Sequence, residues 1–349
     1  MYIIPFFKLV LMKIAFFEVT EDWERKRISD VFGQGSDVLV FERPIQEENA
    51  SQFLDVEAVC VFIYSQCNIS ELAKFPNLKY VGTRSTGFDH IDRDYCRSRG
   101  IIVTNVPRYG ENTVAEFALS LLLTISRKMF ASITRVKSGS FDFSGLRGFD
   151  LAGRTIGIVG FGNIGQKLAR MCLGLEMKVL AYDSFPDKWG QRAKEMGVTL
   201  VDLNTLYIQS DIVSLHMPLL PQTKGMINAQ TLSLMKHGVV IINTARGDLV
   251  HSGDLLDALN SGKVAFAGLD VLEGEGLIKD ELDLLHRDNK DVSNMQILVE
   301  DHILMSHKNV FVTPHNAFNT QDALERILNT SLDSIRKFRA NEQIDTKLV

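Results

Sequence analysis

Six residues at fixed spacing carry the first chemical signal. Gly160-Phe161-Gly162-Asn163-Ile164-Gly165 follows an apolar run, 155–159, and leads into a helical pattern. In a strand–turn–helix of this kind the first glycine permits the tight turn. The second lets the backbone approach a pyrophosphate, and the third lets the helix pack close to the strand. The helix N-terminus adds N–H groups and a positive dipole end. Asp183 closes the next apolar run, about 20 residues on, where a carboxylate can accept from ribose hydroxyls. It would repel a 2′-phosphate, and no Arg follows it directly. The pattern therefore favours NAD over NADP. A lone GxGxxG is weak evidence; the weight lies in strand, turn, helix, second strand and terminal acid standing in order.

Three further segments end apolar runs: Asn243-Thr244-Ala245-Arg246-Gly247, Gly268-Leu269-Asp270-Val271-Leu272-Glu273-Gly274-Glu275, and Thr313-Pro314-His315-Asn316-Ala317. Doubly wound sheets bind ligands beyond the carboxyl ends of their strands. An Arg there can grip a carboxylate and polarise a carbonyl with its fork. A His held by a carboxylate can deliver a proton to a forming alkoxide. Those are the two groups that hydride transfer to a 2-keto acid needs beside the nicotinamide. Taken singly, Arg246 also reads as a capping or salt-bridged residue and His315 as a loop residue. Glu273 and Glu275 both stand as the His partner.

Around these residues the chain alternates short β-branched runs with longer helical stretches, which argues for βα units on parallel sheets. Strands are expected at 13–17, 58–62, 78–82 and 101–104, followed by one long helix over 112–136. A second set is expected at 155–159, 178–182, 211–215, 239–243, 265–269 and 310–313, and a last helix at 321–339. The fold class is α/β, with two doubly wound, Rossmann-like domains. The second set of strands lies between the first set and the final helix, so the first domain is discontinuous. The expected limits are 1–110 and 317–349 for one domain and 111–316 for the other.

Bulk properties narrow the rest. A chain of 349 residues with 45% hydrophobic and 23% charged residues fits an ordinary globular protein of about two domains. A net charge of −5 gives no electrostatic case for nucleic acid or an acidic membrane. Cys60, Cys67, Cys96 and Cys172 form no CxxC pair and none lies near a His at zinc spacing, so no metal is expected. Scattered thiols suit a reducing compartment, here the cytoplasm. The apolar start is interrupted by Lys8 and Lys13. It is too short to span a bilayer and lacks the marks of a signal peptide. Residues 1–11 read as an extension, or a misplaced start, ahead of the first strand.

The glycine turn, the three strand-end segments and the stretch SLHMPLLPQTKGMIN together resemble the D-2-hydroxyacid dehydrogenase family, from about Tyr80 to His315. The resemblance implies an NAD domain inserted into a flavodoxin-like substrate domain. It implies that Arg246 binds and polarises the substrate, that Glu275 pairs with His315, and that His315 is the acid/base. It places Asp270 against the nicotinamide carboxamide, His216 and Pro218 beside the cofactor, and Thr244 and Ala245 along its nicotinamide side. Thr83-Arg84-Ser85-Thr86-Gly87-Phe88-Asp89 resembles the family's substrate loop, where backbone N–H groups of Ser85, Thr86 and Gly87 would hold the substrate carboxylate. Tyr109 corresponds to a Tyr close to substrate in lactate-type relatives. The long link between Glu275 and His315 leans toward those relatives and a D-lactate/pyruvate-like reaction. The segment Asn316-Ala317-Phe318-Asn319 departs from many of them and puts the side-chain pocket in question. Phosphoglycerate, glyoxylate and hydroxyisocaproate members are the alternatives. NADH-sensing corepressors on the same scaffold keep these motifs and form an alternative of another class. A homodimer through the cofactor domain is expected by resemblance.

Overall fold

Short runs of Val, Ile and Ala become two wholly parallel sheets. The computed structural model describes residues 12–33, 35, 37–275 and 292–349; the expected extension and the first part of the link after Glu275, residues 276–291, lie outside the described residues. Two compact units result, one from residues up to Tyr109 with Thr320–Val349, the other Gly110–Asn319.

In the first unit, β1 (Lys13–Phe16), β2 (Val38–Val40), β3 (Val56–Val61), β4 (Tyr80–Thr83) and β5 (Ile102–Thr104) lie in the order β2-β1-β3-β4-β5. This is the flavodoxin-like winding, which reverses between β1 and β3. Successive side chains of a strand point to opposite faces. Ile14 and Phe16 accordingly pack with Ile28, Leu328, Leu332 and Ile335 from the helices Asp22–Phe32 and Gln321–Arg339. Ala15 and Phe17 pack on the other face with Phe53, Phe75 and Leu72.

In the second unit, β6 (Thr155–Val159), β7 (Lys178–Tyr182), β8 (Thr199–Leu200), β9 (Ile212–Leu215), β10 (Val239–Asn243), β11 (Val264–Leu269) and β12 (Val310–Val312) lie in the order β12-β11-β10-β9-β6-β7-β8. The winding reverses between β6 and β9, the position at which a Rossmann-type sheet opens its crevice. The helix Asn163–Gly174 buries Gly165, Leu168, Ala169 and Cys172 against one face of the sheet. Among the described residues no single helix is long and apolar enough to cross a membrane.

Two expectations change. The single helix over 112–136 is two helices, Glu111–Ser126 and Met129–Lys137, bent by 64°. Lys128 takes the left-handed conformation at φ 49, and the Ser126 carbonyl accepts from Phe149 N at 2.9 Å. The apolar spacing runs through the break because an exposed stripe on the second helix keeps the same period. Strands β2 and β8 also appear where none was expected. They have three and two residues, too short to show a period.

Candidate active site

The glycine turn sits at the winding reversal of the second sheet. Gly160 follows β6 with φ 102, a region that L side chains avoid. A Cβ there would also stand 2.6 Å from the His216 carbonyl oxygen, which follows β9. A Cβ on Gly165 would lie 2.1 Å from the Gly160 carbonyl oxygen, so only glycine lets the helix sit this close to the strand. A Cβ on Gly162 would meet nothing within 4 Å; the backbone there faces open space. Asn163 and Ile164 begin the helix, whose first N–H groups have no intrahelical acceptor. Phe161 is fully buried and anchors the turn from beneath.

Asp183 follows β7. Its carboxylate accepts from Phe161 N and from Phe185 N, each at 2.9 Å. It therefore fixes the turn as well as presenting lone pairs beside it. His216 bonds Ser214 Oγ at 2.8 Å, and burial pushes its imidazole down to about 4. It is a neutral ring at ordinary pH. Pro218 is exposed, and its carbonyl accepts from Thr223 Oγ1.

The loop after β10 is built around Asn243, which opens its sequence motif but is given no role by it. Its side chain is fully buried, accepts from Ala245 N at 3.0 Å and donates to the Arg246 carbonyl at 2.8 Å. One amide thus closes the turn that carries Thr244, Ala245 and Arg246. A buried Asn ending an apolar strand is the signal that could have marked it. Arg246 is half-buried and donates to the Ala245 carbonyl at 2.7 Å. Thr244 Oγ1 is buried with no hydrogen-bond partner, an unmet polar atom of the kind a bound ligand satisfies.

After β11, Asp270 is 1% exposed. One carboxylate oxygen accepts from Thr313 Oγ1 at 2.5 Å and Asn316 N at 2.8 Å, and the other from Ala317 N at 2.7 Å. Burial raises its carboxyl above the ordinary range, while these three donors pull against that rise. Asp270 thereby clamps the segment on both sides of His315. The Asp270 carbonyl also accepts from His315 N at 2.9 Å, and His315 takes φ 51. His315 Nδ1 lies 2.7 Å from Glu275 Oε1. Glu273 is engaged elsewhere, accepting from Ser252 N at 2.7 Å at the start of the helix Ser252–Asn260.

The structure thus gathers Gly160, Asp183, His216, Arg246, Asp270 and His315 at the carboxyl ends of neighbouring strands of one sheet. Ser85, Thr86, Gly87 and Tyr109 belong to the first unit. Ser85 is buried, and its hydroxyl bonds Thr83 Oγ1 at 2.7 Å and the Gly87 carbonyl at 2.5 Å. Thr86 Oγ1 donates to the Val106 carbonyl. Tyr109 is half-buried, and its carbonyl accepts from Arg326.

Comparison with known proteins decides the family. Residues 119–317 match the model of the D-isomer specific 2-hydroxyacid dehydrogenase, NAD binding domain. The D-lactate dehydrogenase of Escherichia coli (strain K12) is 33% identical over 345 residues, 97% of this chain and 100% of that protein. The chain belongs to the D-isomer specific 2-hydroxyacid dehydrogenases. It is an NAD-dependent oxidoreductase of D-lactate dehydrogenase-like type. Among solved structures, the D-lactate dehydrogenase from Aquifex aeolicus, complexed with NAD and lactic acid, superposes with a TM-score of 0.84 at 32% identity. The match covers 95% of this dehydrogenase and 96% of that chain. A hydroxypyruvate reductase of Blautia hydrogenotrophica is 34% identical over 271 residues, 76% of this chain and 77% of that one. The residues of the site fit NAD: an open cradle at Gly162, a helix N-terminus behind it, Asp183 beside the turn and the unpartnered hydroxyl of Thr244.

Proposed function

We propose that this dehydrogenase interconverts a small 2-keto acid and its D-2-hydroxy acid, with pyruvate and D-lactate the first pair to test. The reading rests on one observation: His315 Nδ1 is held by Glu275 at 2.7 Å on the strand ends that also carry Arg246. A carboxylate on Nδ1 fixes the ring, stabilises imidazolium and leaves Nε2 to serve the substrate. When bound, NADH supplies the hydride that reduces C2. Arg246 grips the substrate carboxylate and polarises the carbonyl. Protonated His315 donates from Nε2 to the carbonyl oxygen. Asp270 holds the His315 segment in place and would meet the nicotinamide carboxamide. His216 and Pro218 would flank the bound cofactor, and Thr244 and Ala245 would line its nicotinamide side. We assign substrate contacts also to Ser85, Thr86, Gly87 and Tyr109, as the resemblance implies.

Steady-state oxidation of NADH with pyruvate, glyoxylate and 2-ketoisocaproate tests this. Turnover with at least one is expected. His315→Ala should lower the rate by on the order of 10²–10⁴. A wild-type chain that binds NADH and reduces none of the three overturns the reading in favour of an NADH sensor.

The helix Met129–Lys137 exposes Met129, Phe130, Ile133 and Val136, and Phe141 and Phe143 stand 88% and 84% exposed just beyond it. An apolar surface of this extent marks an association site, and we assign it to a second copy of the chain. Light scattering that finds a monomer overturns the assignment. All four cysteines are buried free thiols, which fits the cytoplasm as the working compartment.

A further inference from the structure

The winding of the first sheet reverses between β1 and β3, and a sheet of this order binds its ligand in that crevice. Here the chain's own Glu18 fills it. Glu18 follows β1 in the left-handed conformation, φ 59, and is 7% exposed. Its carboxylate accepts from Phe62 N at 2.9 Å, Tyr64 N at 2.8 Å, Ser65 N at 3.2 Å and Ser65 Oγ at 2.5 Å. Backbone N–H groups converging on one point form an anion nest, and the anion in this nest is built in. The loop after β3 is therefore tied to the end of β1.

Arg84 ties the next loop to the same point. It follows β4 and directly precedes Ser85. Its guanidinium is buried and donates to Glu24 at 2.6 Å, to the Phe17 carbonyl at 2.7 Å and to the Glu18 carbonyl at 2.6 Å. Its Cζ lies 5.2 Å from the centroid of the Phe62 ring. Three adjacent strand ends, those of β1, β3 and β4, are locked together by two side chains. A buried Arg–Glu pair stabilises little more than an apolar pair of the same size would; its particular contribution is fixed geometry. Downstream of Arg84, the Ser85 carbonyl accepts from Val106 N at 2.9 Å and the Thr86 carbonyl accepts from Asn105 Nδ2 at 2.8 Å.

We propose that Glu18 and Arg84 are positioning residues for keto-acid recognition, setting the loop at residues 62–65 and the substrate loop at residues 85–87 in one rigid rim. The inference rests on the reading of Ser85, Thr86 and Gly87 as contacts of the substrate carboxylate. Neither side chain touches the reacting atoms; each acts through the backbone it holds.

The test uses the full chain, NADH, and whichever of pyruvate, glyoxylate and 2-ketoisocaproate the wild type reduces fastest. Glu18→Gln keeps the shape but turns one acceptor into a donor facing N–H groups. The KM for the keto acid should rise about ten-fold, the loss of roughly one charge-assisted hydrogen bond. kcat should change less than about three-fold, and the Kd of NADH, read by fluorescence, should stay at the wild-type value. Leu72→Ala, in the core of the same unit, is the comparison for simple destabilisation: it lowers Tm and leaves KM unchanged. A wild-type KM in Glu18→Gln, or an equal rise in Leu72→Ala, overturns the proposal. If Glu18→Gln does not fold, Ser65→Ala decides, with an increased KM expected and an unchanged KM overturning it. A wild type inert toward all three acids overturns the functional reading itself, and this inference with it.

Discussion

Replacing Asp270 by Asn is expected to disable the acid/base proposed at His315 without emptying the proposed substrate site. The carboxylate has three donors aimed at it, two on one oxygen and one on the other. An Asn amide offers a single oxygen. If that oxygen faces Thr313 and Asn316, the NH₂ faces the Ala317 N–H. If it faces Ala317, Thr313 Oγ1 can turn to accept, and the Asn316 N–H is stranded. Either way one backbone donor beside His315 loses its acceptor. A buried donor left unmet costs about 1–3 kcal/mol, or roughly 2–4 °C of Tm for each kcal/mol in a unit of this size. The functional loss should be larger. His315 stands at φ 51, a conformation a non-glycine residue holds only when its surroundings over-determine it. Relaxing the segment moves the imidazole, and a misplacement of about 1 Å can cost on the order of 10² in rate. Steady-state kinetics and a thermal melt on Asp270→Asn should show kcat down about ten- to a hundred-fold, with the keto-acid KM changed much less because Arg246 keeps its own loop. A folded variant with the expected Tm loss and wild-type kcat would refute the clamp.

The two neighbouring glutamates should separate cleanly. Glu275→Ala is expected to lower kcat by on the order of 10²–10⁴, while Glu273→Ala should cost about 1 kcal/mol of stability through the lost helix cap and leave kcat alone; the reverse pattern would mean that Glu273 serves His315. Gly165→Ala places a Cβ 2.1 Å from the Gly160 carbonyl oxygen. The helix must withdraw by about 1 Å, and the Kd of NADH measured by fluorescence should weaken about ten-fold or more; unchanged binding would show that close packing here does not shape the cradle. Asp301 is fully buried, bonded to Ser252 Oγ at 2.8 Å, and burial pushes its carboxyl up to about 7, with Glu273 and Glu300 adding to the rise. The unfolded chain releases that proton near pH 4, roughly the free value, so the folded state binds the extra proton between about 4 and 7 and stability falls as pH rises through that window. In Asp301→Asn that fall is absent, and the Tm difference from wild type should move in the variant's favour from pH 4 to 7 and level off above; a difference independent of pH would show that Asp301 ionises at its ordinary value.

The parts of the site that are local in the chain are legible in the residues alone. The turn at residues 160–165 and Asp183 need only a strand, a turn, a helix and the next strand, and each step leaves its mark within a few residues. The α/β class follows in the same way from the alternation of runs. What packing decides leaves no such mark. Residue type and spacing leave Glu273 and Glu275 both open and the family resemblance implies Glu275; the contact itself, Glu275 Oε1 2.7 Å from His315 Nδ1, is a product of packing. The break at Lys128 is invisible to periodicity because a bent pair of helices keeps one apolar spacing. Asn243 reads as the last residue of an apolar strand until its amide is seen closing the Arg246 turn.

The sequence by itself determined which residues could do chemistry, because glycine, aspartate, arginine and histidine owe their capacities to covalent structure and to near neighbours. Tertiary structure decided which of them meet. Asp270 reaches residues 43 to 47 positions away, and Glu18 holds backbone 44 to 47 positions away. Over such separations no spacing rule operates. The parallel winding of strands brings their carboxyl ends together, and desolvation leaves each buried carboxylate no partners but the N–H and O–H groups that winding delivers.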